Sequence, residues 1–301
     1  MNAVADRVAQ LTEAAEATGA YPVPGGDICD AWRITLRGGP LGPHSTVFAK
    51  SLADAPAGFF EAEAAGLAML AVTGEVAVPG VLAVADDVLV LEWVEPAYGS
   101  PSPAEAERLG RDLAAMHGIR GTVSYGTPGR AAFLGTLPLP GPGEEVTDPA
   151  EWPRFHAEHR LRPFLREAFD RGGISASDTL DVEQLCEEID KVAGPPQPPA
   201  LIHGDLWSGN VHWAADGRAR LIDPAAQGGH PETDLALLEL FGCPELSRIL
   251  AAYEEVRPIE GRAERVPLHQ LQHLLVHAVL FGGAYGAKCG EAARAALRNR
   301  G

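Results

Sequence analysis

The segment 201–224, LIHGDLWSGNVHWAADGRARLIDP, constrains the fold of this chain more than any other segment. It contains Asp216-Gly217, a strong signal for a two-residue hairpin turn, between apolar stretches that we expect to form strands at 211–213 and 220–222. Such a turn places Asn210 directly opposite Asp223, and opposed residues point to the same face with Cβ atoms about 4.5–5.5 Å apart. Local chain geometry therefore predicts an amide oxygen and a carboxylate held together at one end of a hairpin.

The residues just before this hairpin have the spacing of a kinase catalytic loop, H-x-D-x-x-x-x-N. One residue separates His203 from Asp205, and four residues separate Asp205 from Asn210. Asp205 lies on the entering loop, where it can accept a proton from a hydroxyl nucleophile. Oxygen ligands such as those of Asn210 and Asp223 suit Mg²⁺, which completes its coordination with phosphate and water. The alternative is a set of ordinary polar loop residues, because Asp and Asn favour turns.

A second group of candidates follows from the scarcity of lysine: of 24 basic residues, only Lys50, Lys191 and Lys288 are lysines. Lys50 ends a β-rich stretch, and the apolar periodicity that follows predicts a helix over 57–73. On a helical projection Glu63 falls inside the apolar stripe of that helix. A buried carboxylate needs a partner, and the scarce lysine is the natural one. A Lys–Glu pair that holds phosphates recurs in kinases, whereas the alternative is a lysine at a solvated strand end.

Two further stretches carry weaker signals. Gly25 and Gly26 lie between an amphipathic N-terminal stretch and a strand predicted at 32–36, and glycines allow backbone N–H groups to approach phosphates closely. An ordinary turn is the alternative. The segment 89–95, LVLEWVE, joins two expected lobes and can offer backbone groups to an adenine edge, although a plain connector explains it equally well.

Composition restricts the class of partner and the compartment. The formal net charge of −17 disfavours nucleic-acid binding, which requires a basic surface. The longest apolar stretch, 274–287, is too short for a membrane span, and the N-terminal stretch does not resemble a signal peptide. The four cysteines form no CxxC pair, which indicates reduced thiols. We therefore expect a cytoplasmic protein, most simply a monomer, with no nucleic-acid and no membrane partner.

The order of predicted elements indicates an α+β protein. Strand signals dominate the first third, helical patterns dominate from residue 103 onward, and no internal repeat is visible. We therefore predict a small β-rich N-terminal lobe over 1–95 and a larger, mostly helical lobe over 96–301. His273 and His277 share one helix face in the second lobe, but no third metal ligand is evident, so we interpret them as core or surface residues.

These motifs together resemble the fructosamine kinase (ketosamine kinase) family, within the larger group of aminoglycoside- and choline-kinase-like folds. The resemblance rests on HGDLWSGN at 203–210 and on LIDPAAQGGHPETDLALLELFG at 221–242. VFAKS, FFEAEAAGLAML, LVLEWVE and LGRDLAAMH also fit in the right order. The resemblance covers nearly the whole chain and is thinnest at 120–195 and after 250.

The resemblance implies a two-lobed, protein-kinase-like fold that uses ATP with Mg²⁺ to phosphorylate a sugar hydroxyl of a ketosamine or other glycated amine. It implies Asp205 as the catalytic base, with Asn210 and Asp223 holding Mg²⁺. The nucleotide would be bound by the following residues: Lys50 paired with Glu63 on the phosphates, Gly25 and Gly26 over them, and the backbone of Glu92 and Val94 at adenine.

For the substrate we expect Trp207 to offer a flat platform to the sugar, and His230 and Glu232 to approach the amine. We interpret Asp234 as a helix N-cap that supports the catalytic loop rather than as a reacting group. The alternatives to a ketosamine kinase are a kinase of another amine-bearing alcohol, such as an aminoglycoside or choline, and a nucleotide-binding pseudokinase.

The chain also departs from the pattern of the family that it resembles. Asp27 stands where some family members have a cysteine, and Cys29 follows one residue later, so we expect no thiol-based redox control. Asp223-Pro224-Ala225 replaces the Asp-Phe-Gly triplet of protein kinases, and Gly204 replaces the arginine that receives a phosphorylated activation loop. Both differences predict constitutive activity.

Overall fold

A computed structural model describes residues 2–26, 28–119, 121 and 123–299. Asp27, where the sequence departs from some members of the family that it resembles, lies outside these residues. The N-terminal part is built on an antiparallel sheet in the order β1-β2-β3-β5-β4. Its strands are β1 (Glu16–Pro22), β2 (Asp30–Arg37), β3 (His44–Ser51), β4 (Val81–Ala85) and β5 (Val88–Glu92), with helices α1 (Ala3–Leu11) and α2 (Phe59–Val72).

Strand β5, which lies between β3 and β4, is buried because it supplies side chains to two apolar clusters. Val88 and Val90 belong to the cluster that includes residues of α1, whereas Leu89 and Leu91 pack with residues of α2. This alternation follows the period of two of a β-strand, whose successive side chains point to opposite faces. The packing fixes α2 on the sheet and thereby sets the position of Glu63 relative to β3.

The remainder of the chain is mostly helical. Its helices are α3 (Pro103–Gly118), α4 (Trp152–His156), α5 (Arg162–Asp170), α6 (Ala176–Glu187), α7 (Pro231–Leu240), α8 (Leu246–Val256), α9 (Arg262–Phe281) and α10 (Tyr285–Arg298). Short two-stranded sheets are formed by β6 (Phe133–Leu134) with β7 (Leu137–Pro138), β8 (Ala200–Ile202) with β11 (Gln227–Gly229), and β9 (Val211–Trp213) with β10 (Ala219–Leu221).

Helix α3 shows how the sequence defines its boundaries. Ser102 and Glu105 form a capping box, in which each side chain bonds to the backbone of the other residue, and Pro103 occupies the first helical position. The apolar face of α3 packs against α8 and the small strands, in a core separate from the larger one around α5, α6, α9 and α10. None of the described helices is long and apolar enough to cross a membrane.

The predicted α+β architecture is confirmed, and most element boundaries agree within two residues. The N-terminal stretch differs, because the helix ends at Leu11 and β1 occupies residues whose spacing suggested more helix. Glu13 has a positive φ of 55°, which ends the helix and redirects the chain into the sheet. The lobe boundary predicted at 95/96 falls in the connection between β5 and α3 and stays a prediction.

Candidate active site

A cleft of about 610 Å³ is lined by residues of the sheet, of α2 and of the helical part. This volume lies within the range of pockets that bind small molecules and cofactors. Ten of the twelve site residues predicted from the sequence line it: Gly25, Gly26, Lys50, Glu63, Glu92, Val94, Asp205, Trp207, Asn210 and Asp223. The structure therefore brings together side chains that lie up to about 200 positions apart in the sequence.

Lys50 on β3 is the cationic centre of this cleft. Its Nζ lies 3.0 and 2.8 Å from the two carboxylate oxygens of Glu63 on α2, and both residues are only 8% exposed. The same Nζ lies 3.0 Å from Oδ1 of Asp223. Burial disfavours the charged lysine, but attraction to Asp223 and Glu63 outweighs it and raises the pKa of Lys50. The ammonium group is therefore fully charged at neutral pH.

Asp205 and Asn210 are joined directly by hydrogen bonds. Nδ2 of Asn210 donates to the backbone oxygen of Asp205 at 2.8 Å and to its carboxylate Oδ2 at 3.1 Å. Burial, together with the negative charge of Asp223, raises the pKa of the Asp205 carboxyl to about 7. A carboxylate with a raised pKa is a better proton acceptor than an ordinary aspartate, as a general base requires.

The hairpin that carries Asn210 and Asp223 has a register different from the predicted one. Leu221 pairs with Val211, and the Ile222 N–H donates to the Asn210 carbonyl at 3.1 Å, so Asn210 is opposite Ile222 rather than Asp223. The prediction of direct opposition was wrong because the turn has three residues, 215–217, with Gly217 in the left-handed region at φ 76°.

Asp223 still reaches the cleft, by a different route. Its backbone is left-handed, with φ 54°, which costs a non-glycine residue about 1–2 kcal/mol. This conformation ends the strand and redirects the carboxylate, which lines the cleft and contacts Lys50. Strain at a residue that faces a cleft is typical of functional sites.

Asp234 anchors the catalytic loop from beneath. Its carboxylate accepts hydrogen bonds from the backbone N–H groups of His203 at 2.7 Å and Gly204 at 2.9 Å, and it lies 3.1 Å from Nε2 of His117. Burial alone would raise its pKa, but the hydrogen bond and charge of His117 hold the pKa below the usual value. Asp234 is not the N-cap, because α7 begins at Pro231 and His230 caps it. It does support the loop, as predicted.

His273 on α9 holds the same loop from the other side and was missed as a site residue. Its Nε2 donates to the Gly204 carbonyl at 2.9 Å and lies 3.6 Å from Oδ1 of Asp205. Burial lowers the pKa of His273 to about 3, so the ring is neutral at physiological pH. Its pairing with His277 at i, i+4 was visible in the sequence, but packing of α9 against the loop was not.

The expectation that His230 and Glu232 approach the substrate is not supported by their positions, since neither is among the described residues that line the cleft. Both are 3% exposed. The Glu232 carboxylate pairs with Arg265 of α9 at 2.8 to 3.1 Å, and the His230 ring lies 4.6 Å from the rings of Trp152 and His269. His230 caps α7 and Glu232 lies in the first turn of this helix. Both side chains therefore lie in the interface between α7 and α9, which gives them a structural role.

Replacing Arg265 with methionine tests this assignment. The change leaves the buried Glu232 carboxylate unpaired, and we expect a loss of about 3 kcal/mol in the free energy of unfolding. Arg294→Met is the matched control, since Arg294 pairs with Asp178 and Asp181 at the surface and should contribute less than about 1 kcal/mol. Thermal and urea denaturation measure both. A raised KM for the substrate with unchanged stability would instead place Glu232 in the substrate site.

Two features face each other across a cleft beneath an antiparallel sheet: a lysine–glutamate pair and an H-x-D-x-x-x-x-N loop. Together they define a small-molecule phosphotransferase of the protein-kinase-like class. The chain belongs to the fructosamine kinase family, whose family model matches residues 1–299. It is 37% identical over 287 residues to a probable ketoamine kinase of Thermus thermophilus, covering 93% of this chain and 95% of that protein. It is also 32% identical over 234 residues to the chloroplastic protein-ribulosamine 3-kinase of Oryza sativa, covering 75% of this chain and 65% of that one.

Solved structures agree with this assignment. A protein from Thermobifida fusca, provisionally assigned as a fructosamine-3-kinase, superposes with a TM-score of 0.86 at 44% identity over 99% of both chains. The choline kinase LicA of Streptococcus pneumoniae superposes with a TM-score of 0.60 at 15% identity over 98% of both chains, which is a similarity of fold alone. The chain is therefore an ATP-dependent phosphotransferase acting on ketosamines, and the choline, aminoglycoside and pseudokinase alternatives are not favoured.

Proposed function

We propose that Asp205 is the base for phosphoryl transfer from ATP to a sugar hydroxyl of a ketosamine, with Mg²⁺ held by Asn210 and Asp223. The observation that carries this proposal is the convergence of Asp205, Lys50 and Asp223 in one cleft, with Lys50 already paired with Asp223. The substrate hydroxyl donates its hydrogen bond to Asp205 and then its proton, while its oxygen attacks the terminal phosphorus and ADP leaves. Lys50 holds the phosphates against the developing charge.

The donor set supports magnesium at this place. Asn210 uses its amide nitrogen to bond Asp205, so the side chain presents its amide oxygen as a ligand. Asp223 contributes a carboxylate, and one or two such oxygen ligands are what protein magnesium sites usually provide. Magnesium, when bound, neutralises negative charge on the phosphates. The two residues also keep Asp205 and Lys50 in position, because each of them bonds one of that pair.

For the nucleotide we propose that Gly25 and Gly26 lie over the phosphates and that the segment 92–94 meets adenine. Gly25 and Gly26 have φ values of 118° and 85°, and a Cβ at either position would face open space. The Val94 carbonyl lies 3.2 Å from Nε2 of His212. We therefore assign the backbone N–H of Val94, together with the Glu92 carbonyl, to the adenine edge. The contact with His212 thus orients this segment.

We assign the sugar face of the substrate to Trp207. The indole is two residues beyond Asp205, lines the cleft and is 38% exposed. Phe241 packs edge-on against it, with ring centroids 5.9 Å apart, and fixes the plane of the ring. A flat aromatic ring beside the base suits the apolar face of a sugar and orients one hydroxyl toward Asp205.

One chain supplies every group in this proposed site, so we propose a monomer that works in the cytoplasm without nucleic-acid or membrane partners. The net charge of −17 supports the exclusion of nucleic acid. We also propose that the functional division follows the predicted lobes, with 1–95 binding the nucleotide and 96–301 providing the base and the substrate surface.

A turnover screen with ATP and Mg²⁺ tests the proposed function. We expect ADP release with fructose and ribulose adducts of lysine, and little or none with aminoglycosides or choline. Omitting Mg²⁺ or adding EDTA should abolish release, and phosphorus NMR of the product identifies the phosphorylated hydroxyl. Turnover of aminoglycosides or choline alone would contradict the ketosamine assignment, and full activity in EDTA would contradict the magnesium site.

A further inference from the structure

A contiguous row of aromatic rings leads from the cleft to the protein surface. Beyond the pair formed by Trp207 and Phe241, ring centroids lie 5.3 Å apart for Phe241 and His277, 5.5 Å for His277 and Phe281, and 4.9 Å for His277 and Tyr285. We call Phe241, His277, Phe281 and Tyr285 the aromatic row. His277 and Phe281 line the same cleft as Asp205, so the row is continuous with the proposed active site.

The sequence builds this row from three helix ends. Phe241 follows the last residue of α7, His277 and Phe281 lie one turn apart near the end of α9, and Tyr285 begins α10. The break between α9 and α10 is made by Gly282 and Gly283, whose φ values are 62° and 63°. This sharp glycine turn brings Tyr285 back against His277, which a continuous helix would not do.

The row is unusually exposed for such large apolar groups. Phe241 is 40% and Phe281 50% exposed, next to the 38% exposed Trp207. Contiguous exposed aromatic surface marks a binding site more often than isolated exposed side chains do. One cation already lies on it, since Nζ of Lys288 is 5.2 Å from the centre of the Tyr285 ring. The row is thus a surface that accepts both apolar groups and an ammonium group.

A ketosamine has two ends, a sugar and an amine with its substituent. If the sugar hydroxyl meets Asp205 beside Trp207, the amine end extends along the cleft wall toward the aromatic row. Building on the proposed function, we infer that the aromatic row is the subsite for the amine portion of the ketosamine and selects amines that carry a long aliphatic or aromatic substituent. The protonated amine lies against ring faces by cation–π attraction, and the substituent packs on Phe241 and Phe281.

Two fructose adducts with the same sugar, one of methylamine and one of hexylamine, test this inference. We expect the wild-type enzyme to have a higher kcat/KM for the hexylamine adduct. Phe281→Ala should lower kcat/KM for that adduct about tenfold, since about 1.4 kcal/mol of lost contact corresponds to a factor of ten, and should change the methylamine adduct less than about twofold. Phe281→Tyr should retain the preference, and the KM for ATP should not change.

The matched control is Phe169→Ala on α5, because Phe169 is 49% exposed but is not among the described residues of the cleft. This variant should behave as wild type with both adducts. Equal losses for both adducts in Phe281→Ala, or no preference in the wild type, would overturn the subsite while leaving ketosamine kinase activity in place. If the wild type phosphorylates neither adduct, the proposed function fails and the subsite with it.

Discussion

Asp205→Asn is expected to lower kcat with a ketosamine by about 10³-fold while the KM for ATP changes less than about threefold. Asparagine has nearly the same shape as aspartate, and its amide oxygen can still accept the hydrogen bond that Asn210 donates to Asp205. The loop is also held by Asp234 and His273 through backbone atoms that this change does not touch. The variant therefore loses the proton acceptor and little else.

The control is Asp216→Asn, at the tip of the β9–β10 hairpin that follows the loop carrying Asp205. Asp216 is exposed and pairs with Arg220 at 2.7 Å, so its replacement should leave kcat near the wild-type value. Steady-state ADP release gives kcat and KM, and calorimetric titration with a non-hydrolysable ATP analogue and Mg²⁺ gives the nucleotide affinity. Retention of more than about one-tenth of wild-type turnover in Asp205→Asn would move the role of base to another group.

The residues of this site that were predictable share a property: their chemistry can be read from short-range patterns. The spacing of His203, Asp205 and Asn210 is local, and Glu63 could be placed by helical periodicity because a carboxylate in an apolar stripe needs a partner. The pairing with Lys50 followed from elimination, since few lysines were available. The structure confirms that contact at 2.8 Å.

What the sequence could not provide depends on packing between distant elements or on a small difference in turn geometry. A three-residue turn and a two-residue turn both accept Asp216-Gly217, and the choice shifts every pair in the hairpin by one. His230 and Glu232 were expected to approach the substrate amine, but Arg265, which pairs with the buried Glu232 carboxylate, lies 33 residues further along the chain. His273 and Phe281 enter the site only because α9 packs beside the catalytic loop.

Lys50→Met should lower kcat/KM for ATP by more than about 100-fold. Nζ of Lys50 is within 3.0 Å of both Glu63 and Asp223. Its removal takes away the cation facing the phosphates and leaves the two carboxylates without the positive charge of Lys50. Methionine is similar in length to lysine but has no charge, so the variant separates the effect of the lost charge from the effect of lost side-chain volume. Lys191→Met is the control, because Lys191 is exposed and pairs with Glu188 on the surface.

The effect of Lys50→Met on activity must be separated from its effect on stability, because an unpaired buried Glu63 alone can cost about 3 kcal/mol or more. Glu63→Gln provides the separation: it keeps Lys50 and its contact with Asp223, removes the buried charge pair, and should cost only about tenfold in kcat/KM. Wild type should gain thermal stability from an ATP analogue with Mg²⁺, since a ligand that binds only the folded state stabilises it. Lys50→Met should lose that gain while Glu63→Gln retains most of it, whereas equal gains in all three proteins would show that Lys50 does not contact the phosphates.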